Sequence, residues 1–144
     1  MRNDTTTLID PKAIFTKAPV FGSFAVKDLD SARQFYGRTL GLNVRDDKQM
    51  GIFEIQSPDK SHVLVYPKPD HQPATFTVLN LQVRDIDEAV DSLTAAGVKF
   101  ERYNTPDIKT DAKGVARGDK QGPSIAWFRD PSGNIVSVLE GDQS

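Results

Sequence analysis

The strongest constraint on the fold is an internal repeat. The stretch "VKDLDSAR" at 26–33 is echoed by "VRDIDEAV" at 83–90, with Asp, a branched aliphatic residue, Asp and Ala at matching places. Asp28 and Asp85 are suitable helix N-caps, because a carboxylate there accepts hydrogen bonds from free first-turn amides. Gly41 and Gly97 follow the two predicted helices, where a left-handed stop is expected. The repeat therefore predicts two copies of one helix-containing unit.

Each half reads as strand, helix, strand, strand, strand. "FGSFAV" and "VLNLQV" precede the helices, and both halves end in hairpins, around "SPDK" and "DPSGN", whose Pro and Gly or Asn suit tight turns. A single such unit leaves one sheet face bare, and duplication lets two bare faces curve around a shared cavity. We predict an α+β fold of two βαβββ modules with mixed, curved sheets enclosing a cavity. The predicted divisions are an N-terminal arm (1–18) and one domain (19–141), with module one at 19–68, a polar, proline-rich linker, and module two at 75–141.

Composition excludes several classes of function. The net charge of −2 comes from scattered charges, and no basic stripe points to nucleic acid. No apolar run is long enough for a membrane span or a signal-peptide core. The chain has no cysteine, which excludes disulfides and thiolate chemistry and fits a reducing compartment. We therefore expect a cytoplasmic protein.

Two stretches resemble one known family. "VKDLDSARQFYGRTLGLNV" is similar to the first strand, helix and Leu-Gly turn of the vicinal oxygen chelate superfamily, and "WFRDPSGNIVSVLE" is similar to its last hairpin. That superfamily contains glyoxalase I, bleomycin-resistance proteins, extradiol dioxygenases and fosfomycin-resistance enzymes. The resemblance implies paired modules cupping a cavity, and a homodimer with two equivalent cavities at the subunit boundary. It does not by itself imply a reaction, since one fold serves many functions.

The resemblance also identifies the positions where metal-dependent members place four ligands, typically His, Glu or Gln. Here they are Phe21, Leu64, Val78 and Ser137. The first three have no lone pair to donate, and a neutral serine hydroxyl alone is a poor ligand for a divalent cation. We therefore predict no metal and no cofactor.

Strand alternation predicts the lining of the cavity. The lining is expected to be apolar and aromatic, with few polar groups, and no positioned general base is visible. An alternative is that Phe21, Leu64 and Val78 simply fill a closed core. The predicted ligand-binding residues are Phe21, Ser23, Phe53, Leu64, Tyr66, Val78, Trp127 and Ser137, with the inward orientation of Phe53 and Trp127 the least constrained.

Three functions compete. The first is a metal-free glyoxalase- or bleomycin-resistance-like protein that binds a small, partly aromatic molecule. The second is an enzyme of the same superfamily with a non-standard site, resembling a glyoxalase I-type lyase, an isomerase or a ring-cleaving dioxygenase. The third is a protein-interaction or regulatory module. The long polar loop at 104–124 is expected to be disordered or a surface contact in preference to a lid.

Overall fold

The computed structural model describes residues 8–118 and 122–141. Its helices are α1 (Pro11–Phe15), α2 (Leu29–Arg33), which continues as a π-helical segment (Gln34–Thr39), and α3 (Ile86–Ala95). Its strands are β1 (Gly22–Val26), β2 (Asn43–Asp47), β3 (Ile52–Gln56), β4 (His62–Pro67), β5 (Thr77–Val83), β6 (Val115–Ala116), β7 (Ile125–Arg129) and β8 (Ile135–Glu140).

The strands form two four-stranded mixed sheets. Sheet A has the order β1-β4-β3-β2, and sheet B has the order β5-β8-β7-β6. In each sheet the first strand pairs in parallel with the last, and the remaining pairs are antiparallel. The two sheets curve and do not close into a barrel, which confirms the predicted α+β fold of two βαβββ modules.

Both repeated aspartates cap helices as predicted. Asp28 accepts hydrogen bonds from the amides of Asp30 and Ser31, and Asp85 accepts from the amide of Glu88. Glu140, from the last strand, accepts a hydrogen bond from the Ile86 amide at 2.9 Å, so that the end of module two also holds the start of α3. Helix α2 differs from the expected regular α-helix, because it widens into the π-helical segment at 34–39.

The two modules share one hydrophobic core. The ring of Phe35, in the helix of module one, lies 5.9 Å from that of Phe128 on β7. The hydroxyl of the fully buried Tyr36 donates to Asp130 at 2.7 Å, in the hairpin turn of module two. Asn134 donates to the Ala25 carbonyl of β1 at 2.8 Å. The helix of module one is therefore joined to the last hairpin of module two by both apolar and polar contacts.

Module two departs from the predicted strand pattern. The predicted pattern has a strand after the helix that Gly97 ends, but Phe100 forms only an isolated bridge with Phe128. The fourth strand of sheet B is instead the two-residue β6, which pairs with the other end of β7. The edge of β7 is thus divided between two segments, because residues 102–114 are inserted between them.

The long connection in module two is held by ion pairs. Asp87 on α3 lies 2.8 Å from both Lys113 and Arg117, and Arg117 also contacts Asp111 at 2.9 Å. Asn104 bridges Lys109 in a small hairpin. Of the two alternatives expected for this loop, disorder does not describe residues 104–118, because Lys113 and Arg117 tie this stretch to Asp87 on α3. Residues 119–121 of the same loop lie outside the described residues.

Candidate functional site

The candidate site is the face of each sheet that lies opposite its helix, here called the open face. On β1 and β4, Phe24, Val26 and Val65 are buried beneath the helix. The alternate side chains lie on the open face, where Ser23 pairs with Leu64 and Ala25 pairs with Tyr66. The prediction of these positions rested on strand alternation, and the register places Ser23, Leu64 and Tyr66 on one face.

Phe21 lies directly before β1, at the edge of sheet A. Its ring stacks on that of His62, with centroids 4.6 Å apart and planes inclined by 28°. The side chain is still 51% exposed. An aromatic pair that remains half exposed offers a flat apolar surface on which a planar molecule can stack.

Phe53 does not lie on the open face. It is fully buried, and its ring lies 6.5 Å from that of Tyr36, in the core beneath the helix. Its neighbours in sequence, Glu54 and Ile52, therefore have the opposite orientation. The assignment of Phe53 to the ligand-binding surface is corrected accordingly, because on β3 the residues of even number are the ones that face outward.

The open face of sheet A is more polar than expected. One row of cross-strand neighbours runs from Ser23 through Leu64 and Glu54 to Arg45. The carboxylate of Glu54 has no hydrogen bond or ion pair within residues 8–118 and 122–141. Glu54 was not among the ligand-binding residues predicted from the sequence.

On sheet B the equivalent row is Asn80, Ser137 and Trp127. Ser137 is fully buried, and its hydroxyl lies 2.6 Å from the side-chain oxygen of Asn80, to which it donates. Trp127 is half-buried, and the ring of Tyr103 meets it edge-on at 5.5 Å. The connection between α3 and β6 therefore covers part of this face, and Ser137 is not available at its surface.

Val78 lies at an irregularity in the ladder. The register between β5 and β8 shifts between Thr77 and Leu79, so that Val78 has no partner in the ladder. Its half-buried side chain packs against the core cluster and also lines a cavity. The regular alternation assumed for β5 holds only from Leu79 onward, since a bulge reorients the side chain that it bypasses.

The predicted lining is distributed over three cavities. The largest, of about 670 Å³, lies where β1, the linker and the start of β5 meet, and we call it the seam cavity; it contains Ser23, Tyr66 and Val78. Leu64 lines a second cavity of about 600 Å³ on sheet A, and Trp127 lines a third of about 490 Å³ on sheet B. A single chain therefore does not gather the predicted residues around one space.

The seam cavity also includes residues that the sequence analysis treated only as a hinge. Lys68 and His71 of the linker line it, together with Phe76 at the start of module two. The linker follows a defined path, because Lys68 donates its amide to Val26 and Pro73 lies against Gly133. The Nε2 atom of His71 is buried and has no hydrogen-bond partner among the described residues. In the sequence, the prolines of the linker are the feature that indicates a fixed backbone path.

The four positions that the family resemblance assigns to metal ligands are not suited to hold a metal ion. Phe21, Leu64 and Val78 offer no donor atom, and the Ser137 hydroxyl is engaged by Asn80. Within residues 8–118 and 122–141, no three His, Asp or Glu side chains are grouped so that they could hold a metal ion. These side chains supply neither the number nor the type of ligand that a divalent transition metal requires.

Comparison with known proteins places the chain in a family. The family model "Glyoxalase/Bleomycin resistance protein/Dioxygenase superfamily" matches residues 20–138. The chain belongs to the glyoxalase/bleomycin resistance protein/dioxygenase superfamily, as the resemblance of its two motifs indicated. A search of curated proteins found no match.

Solved structures have the same fold. A superfamily member from Sphaerobacter thermophilus DSM 20745 is 27% identical, with a TM-score of 0.65, and the match covers 88% of this chain and 100% of that one. A glyoxalase/dioxygenase from Nostoc punctiforme is 16% identical, with a TM-score of 0.64 and coverage of 96% and 99%. A lactoylglutathione lyase from Agrobacterium tumefaciens is 20% identical, with a TM-score of 0.59 and coverage of 87% and 94%.

The described helices are short. The longest α-helical element, α3, has ten residues, and no helix in 8–118 or 122–141 is long and apolar enough to cross a membrane.

Proposed function

We propose that this chain is a metal-independent cytoplasmic binding protein that captures a small, partly aromatic molecule in the seam cavity. The observation that carries the proposal is the lining of that cavity. The hydroxyl of Ser23, the phenol of Tyr66 and the apolar side chain of Val78 line an open space of about 670 Å³. Ligand pockets typically have volumes of about 300–1,000 Å³ and combine apolar walls with a few polar groups.

The absence of donor side chains at the four metal positions supports binding without a metal. A ligand would then be held by stacking and hydrogen bonds. Tyr66 is 38% exposed, so its ring is accessible to a ligand, and its hydroxyl can orient a polar substituent. No cofactor enters the proposal.

A thermal-shift screen with small aromatic compounds tests the proposal. A ligand at about 100 times its dissociation constant stabilises the folded state by about 2.7 kcal/mol. Tyr66→Ala should abolish the shift produced by the best compound, whereas Met50→Ala should leave it unchanged, because Met50 is also exposed but lines the second cavity. A shift that survives in Tyr66→Ala would remove the seam cavity from consideration.

Metal content is a separate test of the same proposal. Protein purified without an affinity tag should contain no divalent transition metal in stoichiometric amount by elemental analysis. One equivalent of zinc, iron, nickel or manganese, retained after dialysis and lost on substitution of an open-face residue, would contradict metal-independent binding.

Glu54 favours an enzyme of this superfamily as the second candidate. Its carboxylate lies on the open face of sheet A between Leu64 and Arg45, and it has no partner in the described part of the chain. A free carboxylate in that position can serve as a general base. Turnover of hemithioacetals or catechols by the wild type, and its loss in Glu54→Gln with the fold retained, would favour the enzyme over the binding protein.

A further inference from the structure

We propose, as an extension that rests on the function proposed above, that the seam cavity selects a flat, uncharged aromatic molecule whose ring donates a hydrogen bond to the side-chain oxygen of Asn134. Asn134 lines the seam cavity, yet it is only 2% exposed. An amide at that depth lies at the floor of the cavity, where almost every polar group is expected to have a hydrogen-bond partner. The bonds that Asn134 makes therefore decide what a ligand can offer it.

Both donors of the Asn134 amide are engaged. Its nitrogen donates to the Ala25 carbonyl at 2.8 Å and to the Asp130 carboxylate at 3.0 Å. Because a carbonyl and a carboxylate are acceptors, the nitrogen must face them, and the orientation of the amide is fixed. The side-chain oxygen makes no hydrogen bond within residues 8–118 and 122–141. The cavity therefore contains an acceptor that is held in place and is free to receive a donor.

Exposed aromatic side chains flank this acceptor on two sides. The ladder between β1 and β4 pairs Ala25, which accepts from the Asn134 amide, with Tyr66. The first residues of β5 and β8 also pair in parallel, so that Phe76 and Asn134, which directly precede these strands, are neighbours. Tyr66 and Phe76 both line the seam cavity and are 38% and 67% exposed. Aromatic faces that remain accessible beside a fixed acceptor suit a flat ring with a polar edge.

The formal charges of the lining cancel. Lys68 and Asp70 are the only Lys, Arg, Asp or Glu residues among the described residues that line the seam cavity, and they form an ion pair at 2.5 Å. A charged ligand therefore finds no unpaired partner of opposite charge in this lining. The fixed acceptor and the aromatic faces are the groups that remain, and they favour an uncharged ring that carries an N–H or an O–H.

Indole and N-methylindole are matched probes, because they differ only at the ring nitrogen. A heteronuclear NMR titration of the full chain measures both dissociation constants and reports on the Asn134 side-chain amide directly. We expect indole to bind about tenfold more tightly, since N-methylindole would bury the acceptor without a donor. We also expect indole to shift the side-chain amide signals of Asn134. Equal affinities for the two compounds, or signals that indole leaves unmoved, would overturn the proposal.

Two conservative variants test whether Asn134 is the acceptor. Ser23→Ala and Tyr66→Phe each remove a hydroxyl that can also accept an N–H, and neither hydroxyl has a hydrogen bond in the described part of the chain. The preference for indole over N-methylindole should persist in both variants. Its loss in either one would assign the contact to that hydroxyl and refute the role of Asn134. Asn134 itself is kept, because its amide also joins Ala25 to Asp130.

Phe76→Leu tests the aromatic contact, with Phe15→Leu as its matched control. Both phenylalanines are 67% exposed, but Phe15 lies in α1, outside the lining of the seam cavity. Phe76→Leu should weaken indole binding by about threefold to tenfold, and Phe15→Leu should leave it unchanged. An equal effect in the two variants would refute stacking in this cavity.

An indole carboxylate tests the selection against charge. It should bind no more tightly than indole, because the lining offers no unpaired cation. Tighter binding of the carboxylate would refute the selection of uncharged ligands. If N-methylindole binds in the seam cavity as tightly as indole does, the proposed function stands and the role of Asn134 fails, whereas a screen in which no aromatic compound binds would refute both.

Discussion

Removing the hydroxyl of Tyr36 tests how the two modules are joined. The hydroxyl donates to Asp130 at 2.7 Å, and the two side chains are 0% and 4% exposed. Burial, followed by the neighbouring Asp130 charge, raises the pKa of Tyr36, so the phenol remains a protonated donor throughout the accessible pH range. Tyr36→Phe preserves the ring and its packing and deletes only this hydrogen bond between the modules.

The expected loss follows from the partners that remain. Hydrogen bonds to charged groups contribute about 1.5–3 kcal/mol. Asp130 keeps the amides of Ser132 and Asn134 on one oxygen and the Asn134 side chain on the other. Because the carboxylate is not left entirely unsatisfied, we expect a destabilisation of about 2 kcal/mol. For a chain of this length, that corresponds to a fall in Tm of roughly 4–8 °C.

Urea denaturation followed by circular dichroism measures this difference in the free energy of unfolding. The matched control is Tyr103→Phe, since the Tyr103 hydroxyl makes no hydrogen bond among the described residues. The control should change stability by less than about 0.5 kcal/mol. A loss below about 0.5 kcal/mol in Tyr36→Phe, or an equal loss in both variants, would show that the buried hydrogen bond does not hold the modules together.

Two further predictions concern module two. Hydrogen bonds from Arg117, and after it Lys113, hold the pKa of Asp87 well below its usual value of about 3.9. The stability that this ion cluster contributes is therefore fully present above about pH 4, and it is lost as the pH falls toward the pKa of Asp87 in the folded state. Asp87→Asn should therefore weaken the dependence of the unfolding free energy on pH below about 4, and an unchanged acid titration of stability would contradict the ion cluster. Gly114→Ala should destabilise the protein by more than about 1 kcal/mol in thermal denaturation, because φ at Gly114 is +95° and a Cβ there would lie 2.8 Å from Phe100. The control Gly22→Ala should be close to neutral, because a Cβ at Gly22 meets nothing within 4 Å.

Local chemistry explains why the architecture was predictable. The N-caps at Asp28 and Asp85 and the turns after Pro58 and Pro131 act over a few residues, so they can be read directly from the chain. The repeat then predicted two similar units. Because each unit leaves one sheet face uncovered by its helix, the two units were expected to pack around a shared cavity. Those steps led to the correct fold class, and the resemblance of two motifs led to the correct superfamily.

The lining of the site was only partly predictable. Strand alternation correctly oriented Ser23, Leu64 and Tyr66, because β1 and β4 are regular. It failed for Phe53, whose inward orientation was among the least constrained, because a shift of one residue along a strand reverses the face. It also missed the polar residues Glu54 and Arg45, which lie in the same row as Leu64.

The sequence by itself determined the repeated unit, its helix caps and its turns, since these depend on residue type and short-range spacing. The family resemblance added the four positions at which the chain lacks the usual metal-binding side chains. Only the tertiary structure decided which of those positions share a cavity. That outcome depends on how the modules dock through Tyr36 and Asp130, and on the shift between Thr77 and Leu79. Contacts between residues about ninety positions apart leave no periodic signal in the chain, so the division into three cavities could not be read from the sequence.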